Sequence, residues 1–127
     1  CLIVADGFYE WKKLDEKGKD KQPYLIGLKA GGPFGFAGLW ETWKNKEGEK
    51  IESCTIITGE PNELVATIHD RMAVILPPEK FSAWLDGSAG KEILQLYPAQ
   101  KMRAFMVDKR VGNVRNNDAA LIEPIKA

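Results

Sequence analysis

The sequence has few of the residues that build metal centres and disulfide scaffolds. Its 127 residues include one histidine and two cysteines, Cys1 and Cys54. One imidazole and two distant thiols do not make a zinc site, and a secreted scaffold of this size usually carries more cysteines. We therefore expect no metal and no cofactor, and we expect two reduced thiols packed at strand positions.

Net charge and long apolar runs are also absent. The 18 basic residues balance 18 acidic ones, which argues against a protein held to nucleic acid or membrane by overall charge but leaves room for a local basic groove. The longest uncharged stretch, residues 30–40, is glycine-rich and too short to span a bilayer. Asp6 interrupts the apolar opening, so that opening is not a signal peptide. The sequence predicts a cytoplasmic protein without a membrane partner.

The residues that are present predict one α+β domain, for which 127 residues suffice. Turn signals at short intervals predict an antiparallel meander of strands over 1–13 (broken at 6–7), 23–29, 34–44 and 51–58. Beyond it, the pattern predicts short helices over 61–66, 79–85 and 91–96, strands over 72–76 and 102–107, and an irregular tail over 111–127. Trp40 and Trp43 are interpreted as core or rim packing.

Two residues could carry proton chemistry near neutral pH. His69, the lone histidine, stands between a predicted helix and a predicted strand, and Glu10 interrupts an aromatic stretch between Tyr9 and Trp11. Such a carboxylate is costly to bury without a partner, and an imidazole titrates in the physiological range. If the two meet in the fold they form an acid/base site. If they do not, the chain is a plain α+β domain with a buried histidine, which is the commoner outcome for such a residue.

Three motifs resemble those of one protein family. They are Ala-Asp-Gly-Phe-Tyr-Glu-Trp-Lys at 5–12 with Lys-Gln-Pro-Tyr at 21–24, Thr-Ile-Ile-Thr at 55–58 with Ile-His-Asp-Arg-Met at 68–72, and Val-Gly-Asn-Val at 111–114 with Leu-Ile-Glu-Pro-Ile at 121–125. In this order and spacing they resemble the Glu-Trp, His-Asp-Arg and C-terminal motifs of the SOS-response-associated peptidase family. These abasic-site processing proteins shield damaged single-stranded DNA. The resemblance covers the whole chain.

The resemblance implies a fold and a chemistry. The family fold is a single α+β domain around a curved, mostly antiparallel, barrel-like sheet with a few short helices. In the family, an N-terminal amine attacks the ring-opened aldehyde of an abasic site, and the thiol of the same cysteine closes a thiazolidine. By resemblance, His69 donates a proton to the sugar ring oxygen, and Glu10 moves protons at the amine and the imine and assists self-cleavage of a leader.

The same resemblance implies single-stranded DNA with abasic sites as the partner, and nucleoid association when the protein is bound to DNA. A local groove with stacking and arginines would suit the neutral net charge. The candidate DNA-binding residues are Trp11 and Arg71, with Thr58 and Asn113 as weaker ones.

The chain departs from the family pattern at its start. Leu2 and Ile3 follow Cys1, whereas Gly-Arg follows the nucleophilic cysteine of the family. We therefore interpret Cys1 as an internal strand residue and residues 1–127 as the C-terminal portion of a single domain whose N-terminal portion carries the nucleophile. The remainder of that domain, or another chain, is then expected to complete the sheet. Without it, apolar surface should be left uncovered around Phe8 and Ile26.

Two other functions stay open on the sequence. One is a module that binds single-stranded DNA without reacting with it. The other is a hydrolase in which Glu10 and His69 activate a water. An oligonucleotide that carries an aldehyde separates the three, because only the first gives a covalent adduct.

Overall fold

The computed structural model describes residues 1–126 and contains nine strands and one α-helix in that part of the chain. The strands are β1 (Leu2–Ala5), β2 (Phe8–Lys13), β3 (Lys21–Leu28), β4 (Phe34–Lys44), β5 (Lys50–Ile56), β6 (Thr58–Gly59), β7 (Met72–Ala73), β8 (Ile75–Leu76) and β9 (Met102–Met106). The helix is α1 (Phe81–Leu85). Single 3-10 turns cover Val65–Thr67, Pro78–Lys80, Lys91–Ile93, Ala99–Lys101, Lys109–Gly112 and Ala119–Ile122.

The strands pair in antiparallel fashion in three sheets. One has the order β2-β3-β9, the second has the order β1-β4-β5 with β8 also on β4, and the third is β6-β7. The predicted α+β class, with antiparallel strands and few short helices, is confirmed. The sheets are not closed, so barrel-like closure is not observed among residues 1–126.

The predicted meander is wrong in its connectivity. β2–β3 and β4–β5 are hairpins, but β1 pairs with β4 and β3 pairs with β9. The chain changes sheets at Asp6 and Gly7, where backbones come close together. A Cβ on Gly27 would lie 3.2 Å from the carbonyl oxygen of Asp6, and one on Gly7 would lie 3.1 Å from Leu25. Two glycines at this crossing let β1 leave one sheet and β2 begin the next.

The core lies between the two larger sheets. Phe34 and Phe36 alternate along β4 and so share a face, and their rings meet edge-on, with centroids 5.1 Å apart. Phe8 packs edge-on against both. Ile26 is fully buried in the same cluster. The expected uncovered surface around Phe8 and Ile26 is therefore not there.

Uncovered apolar surface lies instead on the outer part of the β4–β5 hairpin, residues 38–56, which we call the ribbon. β4 is buried from Phe34 to Gly38 and exposed beyond it, and every residue of β5 is exposed. Trp40 is 62% exposed and Trp43 is 59% exposed, so their interpretation as core or rim packing is wrong in this chain. Cys54 is likewise exposed rather than packed.

Three predicted elements are shorter than expected. The helices over 61–66 and 91–96 reduce to 3-10 turns at Val65–Thr67 and Lys91–Ile93, because segments this short cannot offset the cost of helix nucleation. The strand over 72–76 divides into β7 and β8. Val74 between them donates its amide to Ile57 and accepts from Ala37, so the segment joins two sheets. The helix over 79–85 is present as a 3-10 turn that leads into α1.

Candidate functional site

His69 lies in a rigid connection rather than in the core. Its amide donates to the carbonyl of Val65 at 2.8 Å, and the flanking residues Ile68 and Met72 are both buried. These apolar neighbours anchor the chain on each side and leave the imidazole at the surface, 39% exposed. His69 is therefore not a buried core histidine.

The imidazole is held on its Nδ1 side. The amide of Arg71 donates to Nδ1 at 3.2 Å, the carbonyl oxygen of Arg71 also lies 3.2 Å from Nδ1, and Asp70 Oδ1 lies at 3.4 Å. A neutral Nδ1 can accept from the Arg71 amide, and a protonated Nδ1 can donate to the carbonyl or to Asp70. Both charge states of the ring thus have a partner on this side, and Nε2 is left to face Glu10.

Glu10 approaches His69 from β2. It shares a strand face with Phe8, which packs on the core, so its carboxylate is only 25% exposed. Its Oε2 lies 4.0 Å from His69 Nε2, too far for a hydrogen bond and close enough for a charge interaction or one shared reactant. The predicted meeting of Glu10 and His69 is present in the structure.

The surroundings raise the pKa of Glu10 above its ordinary value. Partial burial is the largest cause, because it disfavours the charged form. His69 acts in the opposite direction and Asp70 adds to the increase. A carboxyl group that retains its proton more readily than usual, beside an imidazole, is a combination typical of acid/base sites.

A cleft of about 310 Å³ opens beside His69. Its walls come from the end of β2 and from the segment that leads to the histidine. The lining residues are Trp11, Lys12, Lys13, Ala66, Thr67, Ile68, His69 and Asp70. Apolar walls with two lysines at one side suit a nucleotide, which has a flat ring and an anionic backbone.

The other predicted DNA-binding residues are placed unevenly. Arg71 donates through Nη2 to the hydroxyl of Thr58 at 3.0 Å, so these two form one exposed pair next to His69. Asn113 is not brought to that pair. Its side chain accepts from the amide of Arg115 in the tail, and its neighbour Gly112 lies beside the indole of Trp11.

Sequence reasoning missed two features of this region. Lys12 and Lys13 line the cleft, which the sequence does not indicate because it depends on the register of β2. Asn62 is a buried side chain with three partners, whereas the sequence predicts only that it lies in a short helix over 61–66. An asparagine three residues before a buried valine is a capping signal that could have indicated this contact.

No helix within residues 1–126 is long and apolar enough to cross a membrane.

The family described as SOS response associated peptidase (SRAP) matches residues 1–114. The abasic site processing protein YoqW of Bacillus subtilis is 47% identical over 97% of this chain and 56% of its own length. YedK of Escherichia coli is 34% identical over 98% and 57%, and HMCES of Gallus gallus is 32% identical over 99% and 44%.

The fold has a close counterpart among solved structures. A crystal structure of a protein from Bacteroides thetaiotaomicron superimposes with a TM-score of 0.87 at 28% identity, covering 99% of this chain and 56% of that one. The chain therefore spans about half the length of the curated relatives and of the solved structure that it matches.

Proposed function

Because the chain belongs to the SOS response associated peptidase family, we propose that it supplies the proton-transfer residues of a domain that captures abasic sites in single-stranded DNA. Several of its relatives are named abasic site processing proteins. The observation that carries the proposal is the 4.0 Å approach of Glu10 Oε2 to His69 Nε2, with His69 also lining the open cleft. A location in the cytoplasm, at the nucleoid when DNA is bound, belongs to the same proposal.

His69 acts first, on the sugar. An abasic site exists as a closed hemiacetal and an open aldehyde, and only the aldehyde reacts with an amine. Protonated Nε2 donates its proton to the ring oxygen as the C1′–O4′ bond breaks, and the C1′ hydroxyl releases its own proton to water, which leaves an aldehyde at C1′ and a hydroxyl at C4′. The contacts of Nδ1 with Arg71 and Asp70 keep the ring oriented through this change of charge.

Glu10 acts on the nitrogen. As the amine attacks C1′, the Glu10 carboxylate takes a proton from the nitrogen and passes it to the former aldehyde oxygen, which becomes a hydroxyl. A second transfer from the nitrogen to that hydroxyl releases one water and leaves an imine. The thiol then adds to C1′, and its proton ends on the ring nitrogen of the thiazolidine. The raised pKa of Glu10 suits a group that both accepts and donates. The same carboxylate assists removal of a leader in this proposal.

The nucleophile comes from residues outside this chain. The amine of Cys1 donates to the carbonyl of Gly38 at 2.8 Å, and its own carbonyl accepts from the indole of Trp84. Both contacts hold Cys1 beside β4, directly before β1. We therefore assign residues 1–127 to the C-terminal portion of one domain, whose N-terminal portion brings the reactive cysteine to Glu10 and His69.

Single-stranded DNA is the proposed partner. Arg71 contacts the backbone, Trp11 stacks on a base, and Thr58 and Asn113 contribute polar contacts. The exposed position of the Arg71–Thr58 pair and the place of Trp11 in the cleft wall support these roles. Trp11 lines the same cleft as His69, and Arg71 contacts the imidazole through its amide.

The ribbon is the proposed contact for the rest of the domain. Leu39, Trp43 and Ile51 lie on one face of it, and Trp40 and Ile56 lie on the other. The far edge of β5 has no strand partner among the described residues. An exposed apolar ribbon with an open edge is an aggregation hazard unless it is covered, and YoqW has additional chain beyond the 56% of its length that this chain matches.

The test uses a chimera in which the part of YoqW that this chain does not match is joined to residues 1–127. The probe is a single-stranded oligonucleotide with one abasic site. A denaturing gel is expected to show a covalent adduct with the chimera, to show none with the 127-residue chain alone, and to lose the adduct when the abasic site is reduced to an alcohol.

The outcomes distinguish the three functions. A gel shift without any covalent product would support the non-covalent binding module. Turnover of the oligonucleotide without an adduct would support a hydrolase that uses Glu10, His69 and water. The chimera carrying His69→Ala is expected to bind the oligonucleotide and to form the adduct slowly.

A further inference from the structure

We propose that Asn62 is a positioning residue for His69, because its buried amide fixes the turn that carries the imidazole to Glu10. The catalytic consequence rests on the proposed function, but the mechanical link does not. Asn62 does not touch the cleft, and it acts only through the backbone.

Both polar groups of the Asn62 side chain, the oxygen and the nitrogen, have hydrogen-bond partners. The residue is 5% exposed. Its Oδ1 accepts from the amide of Val65 at 3.0 Å, and its Nδ2 donates to the carbonyl of Tyr97 at 2.8 Å and lies 3.2 Å from the sulfur of Met102. An amide offers an acceptor and two donors on one short side chain, and all three are engaged here.

These contacts lead directly to the histidine. The carbonyl of Asn62 accepts from Ala66 at 2.8 Å, and the carbonyl of Val65 accepts from both Ile68 and His69 at 2.8 Å. Val65 is thus held by Asn62 through its amide and holds His69 through its carbonyl. The turn Val65–Thr67 has no other side-chain cap at its start, so Asn62 provides the fixed point.

The second attachment places the turn in the domain. Tyr97 precedes β9 and Met102 begins it, so Nδ2 ties the turn to the element that pairs with β3. β3 in turn pairs with β2, which carries Glu10 opposite Tyr24. Asn62 therefore links the two supports of the site, the strand that holds Glu10 and the turn that holds His69.

A matched control exists in Gln22. It is the other buried polar residue among residues 1–126, and its Nε2 donates to the carbonyls of Pro23 and Val107 at 3.1 and 2.9 Å. It lies in β3 and ties the tail to the sheet, with no contact to the turn that carries His69. Gln22→Ala removes a comparable buried amide, whereas Asn62→Ala removes the amide that is proposed to position His69.

The first measurement needs no DNA. The chain has one histidine, so its imidazole gives a single set of NMR signals. Asn62→Ala is expected to speed hydrogen exchange of the His69 and Ile68 amides about tenfold, the factor that one net hydrogen bond represents, and to broaden or shift the imidazole signals. Amides of β3 should keep their rates. Gln22→Ala should leave the His69 signals unchanged.

The second measurement is the rate of adduct formation by the chimera on the abasic oligonucleotide. Asn62→Ala is expected to slow it about tenfold at unchanged DNA affinity, and to slow it no further in a His69→Ala background. Equal acceleration of exchange at all amides, or an Asn62→Ala loss that persists without His69, would overturn the positioning role. If the wild-type chimera forms no adduct, the proposed function fails while the exchange result still decides the mechanical link.

Discussion

The site region around Glu10 and His69 differs from the ribbon in how completely its side chains are packed and paired within this chain. Around the site, Ile68, Met72 and Val65 are buried and the polar groups have partners within the chain. On the ribbon, two tryptophans stand in solvent on opposite faces. The comparison teaches that the proposed acid and base are held in place by contacts within this chain, whereas the apolar side chains of the ribbon have no cover among residues 1–126.

The largest expected effect is that of removing the imidazole of His69, which tests whether the site region carries the proposed chemistry. In the chimera, His69→Ala should slow adduct formation ~10²–10⁴-fold, because a general acid acts in the transition state. DNA affinity should change little. A denaturing gel time course beside a gel shift measures both. A normal rate would make His69 a structural residue and remove the chemical distinction between the two regions.

The next effect tests the ribbon. Trp40→Ala in the chimera should lower the free energy of unfolding by about 3 kcal/mol, the cost of truncating a buried tryptophan. In the 127-residue chain alone the same change should stay within about 0.5 kcal/mol, since the side chain is exposed there. Urea unfolding of both proteins provides the measurement.

Phe36→Ala is the control for that comparison, because Phe36 is buried in this chain and should destabilise both proteins alike. Equal effects of Trp40→Ala in the chimera and in the chain alone would show that the ribbon is not covered by the rest of the domain.

A smaller effect is expected from Arg71→Gln. Removing one phosphate contact should weaken binding of single-stranded DNA severalfold and lower the slope of log affinity against log salt by about 0.7. Lys50→Gln removes a charge of the same sign on the ribbon and should change neither quantity. Fluorescence titration of an abasic oligonucleotide at several salt concentrations tests the pair. Equal losses of DNA affinity in the two variants would mean that any positive charge on the protein contributes to binding, wherever it lies.

The fold could be predicted from the sequence as far as local patterns determine it. The apolar alternation of β4 and the turn at Gly48, whose φ is +82°, indicate a hairpin from within one short segment. The pairing of β1 with β4 could not be predicted in that way, because it depends on a close approach of Leu2 to Gly35 and of Ile3 to Gly38, between segments far apart in sequence.

The sequence was sufficient to predict which residues form the candidate site but not which contacts hold them in place. Glu10 and His69 stand out because each is a costly residue in an apolar setting, and their motifs resemble one family. The exposure of His69 and the role of Asn62 depend on which neighbours fill the core, and a single sequence does not encode that locally. The exposure of Trp40 could not be predicted either, because its pattern is that of a buried strand and no other part of residues 1–126 covers it.

The smallest expected effect concerns the stability of the site itself. Burial raises the pKa of Glu10 above the unfolded value of 4.5, so the native state binds that proton more strongly than the unfolded state. The stabilising contribution of this group is therefore fully present below about pH 4.5 and is lost as pH rises through the native pKa. Glu10→Gln should accordingly raise Tm at pH 7 and change it little near pH 4.

Glu92→Gln is the control of opposite sign. The amide of Gly90 lowers the pKa of Glu92, so its contribution is present above pH 4.5 and is lost as pH falls through the native pKa. The neutral variant should therefore lose Tm at pH 7. Thermal unfolding of the 127-residue chain at the two pH values measures both. If Glu10→Gln lowers Tm at pH 7, the carboxylate is a stabilising partner of His69 rather than a group retained at a cost to stability. The site region would then not differ in stability from the rest of the core.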